Sequence, residues 1–237
     1  MCLRVTNRPA NQHWKTSPAR SDSGINVILI MGFYTKYLLP RAVNFLCSTK
    51  PIRKQREKVV SLAAGRVLEV GIGSGLNLPL YDPGKVQQVW GLDPSIELWA
   101  MAEETAAQVE FNLEFIKGNA EAIPLDDSST DTVLVTYTLC TVPGVLPALE
   151  EIRRVLKPDG HLIFCEHGAA PDAAVRRWQN RLNPIWKRFG GGCNLNLPIP
   201  SLLEQSGFKI QGMDTMYLPG WKPATFNYWG TAGSAQA

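Results

Sequence analysis

The stretch Arg66–Tyr81, RVLEVGIGSGLNLPLY, decides how this chain is read. Val67, Leu68 and Val70 form a short apolar run suited to a buried strand, and the run stops at Gly71-Ile72-Gly73-Ser74-Gly75 before helix-compatible residues resume. The order is strand, tight glycine turn, helix start. Glycine suits such a turn because the backbone takes positive φ and a ligand can approach with no Cβ in the way, while the helix N-terminus beyond offers free N–H groups. A dinucleotide fingerprint, G-x-G-x-x-G, needs its third glycine at position 76, which is Leu76. A nicotinamide cofactor is therefore disfavoured.

Downstream, the chain alternates strands and helices. Gln88–Leu92 reads as a second strand ending at Asp93, about 20 residues past the glycine turn, where doubly wound folds place a carboxylate on a nucleoside ribose. The alternative role for Asp93 is to cap the helix that starts at Asp93-Pro94-Ser95, whose apolar residues Leu98, Met101 and Ala102 recur at helical spacing. Asn112–Lys117 alternates as a third strand and runs into Gly118-Asn119-Ala120-Glu121. Asp131–Tyr137 is rich in β-branched residues and is expected at the sheet centre, so Thr138, Leu139, Cys140 and Thr141 fall at the carboxyl edge where open α/β sheets bind ligands. A helix over 143–156 stops at Lys157-Pro158-Asp159-Gly160, and His161–Glu166 is the fifth strand. A long Trp/Arg helix, Ala173–Phe189, leads to Gly190-Gly191-Gly192-Cys193-Asn194-Leu195. Strands at Phe208–Met213 and Thr225–Thr231 complete seven.

Length and composition bound the rest. A chain of 237 residues, 45% hydrophobic, holds one α/β domain with a sizeable core. Its net charge of +3 lacks the concentrated basic stripe of a nucleic-acid binder, so no nucleic-acid partner is expected. Five cysteines are odd in number and contain no C-x-x-C, and there are three histidines, so neither a disulfide framework nor a metal site is written in the spacing. That points to a reducing, cytoplasmic setting. The apolar run Ile25–Phe33 is about half of the ~20 residues a membrane-crossing helix needs. Residues 1–30 carry little that could be buried and are expected to be disordered or an upstream extension. From Phe33 to Cys47 aromatic and aliphatic residues cluster around Pro40 as two short helical pieces. A basic helix, Lys50–Leu62, follows with Arg53, Lys54, Arg56 and Lys58 on a solvated face or against lipid headgroups, a weak membrane-surface contact.

Glu69-Val70-Gly71-Ile72-Gly73-Ser74-Gly75 resembles the first motif of the class I S-adenosylmethionine-dependent methyltransferases. Gly118-Asn119-Ala120-Glu121 with Ile123-Pro124 is similar to that family's adenine-binding loop, with Asn119 where Asp is common. LKPDGHLIF is similar to its "LKPGG" turn, with Asp159 replacing a glycine. The resemblance covers roughly residues 58–166 and points to the type 11, ubiquinone/menaquinone methyltransferase-like group. It implies a Rossmann-like, seven-stranded, mostly parallel sheet with helices on both faces and an antiparallel last strand. It further implies S-adenosylmethionine as cofactor, held by Glu69, Gly71, Gly73, Gly75, Asp93, Pro94, Asn119, Ala120, Glu121 and Thr136. Residues 31–237 are then the methyltransferase domain and 31–62 a helical lid, with Tyr34, beside Phe33 and Tyr37, over the substrate.

Leu139-Cys140, Glu166-His167 and Gly192-Cys193-Asn194-Leu195 resemble the methyltransferase-like-seven thiol S-methyltransferases and their bacterial relatives. That resemblance implies a small, largely apolar acceptor, a thiol by preference, in a pocket that includes Thr138, Cys140, Glu166, Cys193 and Asn194. Transfer to a quinone, lipid or amine, or cofactor binding without turnover, are the competing readings. Methyl transfer needs no covalent enzyme intermediate, so Cys140 and Cys193 read as small packing residues rather than nucleophiles. His167 is the histidine at the carboxyl edge and so the candidate catalytic base; capping a strand end would explain it equally. The aromatics of the final third, Trp178, Trp186, Phe189, Trp221, Tyr228 and Trp229, are expected mostly in the core, with some lining the acceptor pocket.

Overall fold

Alternating side chains on the central strands explain how the sheet is buried on both faces. In β4 (Thr130–Thr136), Val133 and Val135 point into one apolar cluster and Leu134 into the other. β1 (Gly65–Val70) does the same with Leu68 and Val70 against Val67, and β5 (Leu156–His167) with Leu162 and Phe164 against Ile163 and Cys165. Each fully buried Leu or Phe here stabilises by about 1.5–3 kcal/mol through area removed from water. The computed structural model describes residues 39–234. Tyr34, Phe33 and Tyr37, and the extension expected over 1–30, lie outside the described residues.

With β2 (Val86–Asp93), β3 (Asn112–Lys117), β6 (Phe208–Tyr217) and β7 (Phe226–Ser234), the seven strands lie in the order β3-β2-β1-β4-β5-β7-β6. β4 is the central strand. The pairs among β1 to β5 are parallel, whereas β7 is antiparallel to both β5 and β6. The order reverses between β1, whose other neighbour is β2, and β4, which opens a crevice at their carboxyl ends.

Helices α1 (Leu39–Cys47) and α2 (Lys50–Val60) precede the sheet. α2 buries Val59 and Val60 with Val67, Leu134 and Ile163, while α5 (Val145–Val155) places Leu149 and Ile152 on the opposite face. α6 (Ala173–Phe189) spans the residues expected of it and is followed by α7 (Ile199–Gln205).

Several sequence expectations are corrected. The helix expected after the glycine turn is one 3-10 turn, Leu78–Leu80, because Pro79 occupies it and the Asn77 side chain is drawn into the core. The helix expected after Asp93 is two short pieces, α3 (Ile96–Trp99) and α4 (Glu103–Ala106). The LKPDG segment begins β5 itself, since Leu156 pairs with Thr130 before a register shift. The aromatics expected in the core divide: Tyr228 is buried, but Trp178, Phe189 and Trp221 are about half exposed. The amphipathic α6 lies outside the sheet and buries only Gln179, so two of those rings face outward with its basic residues.

Candidate functional site

A cleft of about 440 Å³ opens at the carboxyl edge over β1, β2 and β4, within the usual size of small-molecule sites. Gly71, Ile72 and Gly73 form its floor, Asp93 and Pro94 one side, and Asn119, Ala120 and Glu121 the end beyond β3. Thr136 and Thr138 from the end of β4 face it, and α1 closes it with Val43, Asn44 and Cys47. Gly71, Gly73 and Gly75 all adopt positive φ, and of the three only Gly73 has open space on the side where a Cβ would stand. The Asp93 carboxylate accepts the Gly73 N–H at 2.9 Å and the Ser95 N–H at 2.8 Å. Burial raises its pKa against those two bonds. Ser95, not Asp93, is the N-cap of α3, with its hydroxyl accepting from the Leu98 N–H at 3.1 Å.

Glu69 and Gly75 lie beneath this surface rather than on it. Glu69 is buried and accepts from Asn77 Nδ2 at 2.8 Å and from the Tyr81 hydroxyl at 2.7 Å. Burial pushes its carboxyl up to about 7 despite both bonds. The same network holds Thr136, whose hydroxyl oxygen accepts from Asn77 Nδ2 at 3.0 Å and from the Arg56 guanidinium. Arg56 also donates to Asn77 Oδ1 at 3.0 Å and stands 5.1 Å from the centroid of Tyr137. This buried arginine on the cleft wall belongs to a helix read from sequence as having a solvated basic face. Its signal was faint: Val59 and Val60 follow at i+3 and i+4 and share its face.

Beyond β4 the chain turns sharply. Tyr137 takes φ 54°, uncommon for a bulky residue, and its hydroxyl donates to Asn227 Oδ1 at 2.6 Å. Glu166 Oε1 then accepts the N–H groups of Thr138 at 2.7 Å and Leu139 at 3.1 Å, so this buried carboxylate ties the loop after β4 to β5. Burial raises Glu166 to about 7. Cys140 is buried, Cys193 half-buried, and Asn194 donates from its backbone and side chain to the Cys140 carbonyl at 2.8 and 2.9 Å. Cys140, Glu166, His167, Cys193 and Asn194 therefore gather into one cluster, but behind the cleft wall rather than on it. His167 Nε2 lies 3.3 Å from Cys193 Sγ, and its Nδ1 is buried with no partner among the described residues. The Cys193 thiol is held well below its ordinary value, first by the hydrogen bond from Cys140 and then, against burial, by His167. None of the aromatics of α6 or β7, nor Trp221 before α8 (Lys222–Thr225), lines the cleft.

A glycine turn, an acid at the end of the neighbouring strand and an amide-bearing loop, at the reversal point of a parallel sheet, define a nucleoside-binding α/β domain. The donor set fits a nucleoside sulfonium: a carboxylate for a diol, Asn119 for a base edge, and Ile72, Leu92 and Leu98 as apolar lining.

Residues 68–164 match the methyltransferase domain family. The chain is 34% identical to human thiol S-methyltransferase TMT1B over 194 residues, 78% of each chain. The rat TMT1B match, also 34% identical, runs over 167 residues, 68% of this chain and 65% of that protein, so the chain spans just under two thirds of the rat protein's length. The crystal structure of YcgJ from Bacillus subtilis shares the fold, with a TM-score of 0.59 at 19% identity over 79% of this chain and 98% of that one. The chain belongs to the class I S-adenosylmethionine-dependent methyltransferases and is related within them to thiol S-methyltransferases. Its cofactor is S-adenosylmethionine.

Proposed function

We propose that this chain methylates the sulfur of a small thiol. The observation that carries the reading is the match to human thiol S-methyltransferase TMT1B, which at 194 residues is about twice as long as the shared domain of 68–164. Bound in the cleft, the cofactor supplies a sulfonium methyl group for in-line displacement. Gly73, Asp93, Pro94, Asn119, Ala120 and Glu121 hold its nucleoside end, and Glu69, Gly71, Gly75 and Thr136 keep that surface in shape from beneath or beside it. The acceptor enters from the side of Val43, Cys47, Thr141 and Gly191, with α1 and α2 as its cover.

A thiol asks little of the protein as a base. With a free pKa near ~8.5, a few per cent is already thiolate at neutral pH, and that form is intrinsically nucleophilic. Fixing sulfur, methyl and leaving group in line then provides the main acceleration, of which proximity can contribute up to ~7–11 kcal/mol. The four described cysteines are free thiols, which suits a reducing cytoplasmic setting, and no helix among the described residues is long and apolar enough to cross a membrane.

The test is incubation of the purified chain with methyl-labelled S-adenosylmethionine and a panel of alkyl thiols, aryl thiols, phenols, quinols, amines and phospholipids. Labelled thioether is the expected product. Protein that binds the cofactor yet labels phenols, quinols or lipids and no thiol would overturn the reading.

A further inference from the structure

Behind the cleft wall, two thiols and an imidazole stand together with no part in the function proposed above. Cys140 follows β4, His167 ends β5 and Cys193 follows the glycine turn after α6, so three separate segments deliver them. One ligand atom from each lies within 4.8 Å of the others, and His167 Nε2 is 3.3 Å from Cys193 Sγ. Two clamps fix the frame. Asn194 bonds twice to the Cys140 carbonyl, and Glu166, next to His167, accepts the Thr138 and Leu139 N–H groups just before Cys140.

We propose that Cys140, His167 and Cys193 form a binding site for a thiophilic divalent cation of the Zn²⁺ class, held by two thiolates and one imidazole nitrogen. Tetrahedral zinc, with bonds of ~2.3 Å to sulfur and ~2.0 Å to nitrogen, sets its ligand atoms roughly 3.5–3.8 Å apart, which asks for a slight opening of the His167–Cys193 pair and no more than about 1 Å of closing elsewhere in the cluster. Sulfur and imidazole select Zn²⁺ over hard cations such as Mg²⁺ or Ca²⁺, which take oxygen. Binding releases the thiol protons still present to solvent, so no oxidant or reductant takes part. Three protein ligands leave one tetrahedral position open. Thr141 next to Cys140, and Gly190 and Gly191 shortly before Cys193, line the cleft, so the site adjoins it whatever acceptor the enzyme takes.

The experiment uses the full chain, free of any tag, reduced with a phosphine and stripped of metal. It is titrated with Co²⁺ and then Zn²⁺ while the absorption spectrum and bound-metal stoichiometry are followed. One equivalent of Co²⁺ per chain, with thiolate charge-transfer and tetrahedral d–d bands that Zn²⁺ bleaches, is expected. C193A and C140A, checked for folding by circular dichroism, should lose the charge-transfer band, and H167A should alter the d–d envelope. C165A, a buried thiol outside the cluster, should keep both. Reduced wild-type protein that takes up no Co²⁺ or Zn²⁺ would overturn the proposal, as would a folded C193A that retains the band. Recovery of a Cys140–Cys193 disulfide in protein that stays metal-free after reduction would assign the pair to redox chemistry instead.

Discussion

At Gly71 an added Cβ would come within 2.3 Å of Thr138 Oγ1, and at Gly75 within 2.8 Å of Leu78, whereas at Gly73 the nearest atoms are 3.9 Å away. Gly71→Ala should therefore damage the fold, through overpacking of ~1–3 kcal/mol added to the strain of positive φ. Gly73→Ala should cost only the strain, about 1–2 kcal/mol, and mainly weaken cofactor binding by placing a methyl group on the ligand side. Thermal melts and calorimetry with S-adenosylmethionine separate the two, and a folded Gly73→Ala protein of unchanged affinity would remove Gly73 from the binding surface. Asp93→Ala should lower cofactor affinity about tenfold or more, roughly 1.5–3 kcal/mol for a charge-assisted bond. Because Asp93 also holds the Gly73 N–H, the cofactor-free variant should melt lower as well; normal affinity in a folded variant would restrict Asp93 to shaping the turn. The turn, Asp93 and the Asn119 loop were legible because each is a short local motif with its own backbone demand. Cys140, His167 and Cys193 reach one pocket edge in the sequence only through a family resemblance; their mutual contact, and its place behind the cleft wall, depends on how β4, β5 and the α6 turn fold onto that edge and is written in no local pattern.

Along α2, Arg53 and Lys54 are exposed and Arg56 is buried, and charge spacing in sequence does not distinguish them. What selects Arg56 is its pair of acceptors, Asn77 Oδ1 and Thr136 Oγ1, on two other elements. Hydrogen bonds from charged donors contribute about 1.5–3 kcal/mol, so Arg56→Met should destabilise by roughly 3 kcal/mol and loosen the cleft wall. Chemical denaturation measures it; an unchanged midpoint would mean that desolvating the guanidinium cancels its bonds. β3 and α6 have the bounds their sequence patterns predict, because strand alternation and a long helix-compatible run mark element type, while which face of α6 is buried is not written in that run. The 3-10 turn at Leu78–Leu80 and the split helices α3 and α4 were misread, since buried Asn77 and the turn at Ala100–Ala102 interrupt patterns that look helical.

Across the whole molecule, the two-faced sheet leaves a carboxylate in its interior, and that gives stability a pH signature. Glu69 titrates at about 7 in the fold against an ordinary value of 4.5. The fold thus favours the protonated acid, so its contribution to stability is full below about 4.5 and is lost as pH rises through about 7. Glu69→Gln removes that loss. The stability of Glu69→Gln relative to wild type should rise between about pH 5 and 8 and then level off, as followed by denaturant midpoints at each pH. A difference that stays flat would show Glu69 to be ionised at its ordinary value.

β7 comes after β6 in the chain yet lies between β6 and β5. β1 to β5 can pair in the order in which they are made, but β6 has no rung to join until β7 is in place. Until Phe226–Ser234 follows, one side of β5 is an open edge able to pair with another nascent chain. A single late segment then closes both ladders. Released chains truncated before Phe226 should accordingly expose β6 to limited proteolysis and recruit holdase chaperones, while chains that include Phe226–Ser234 should be resistant.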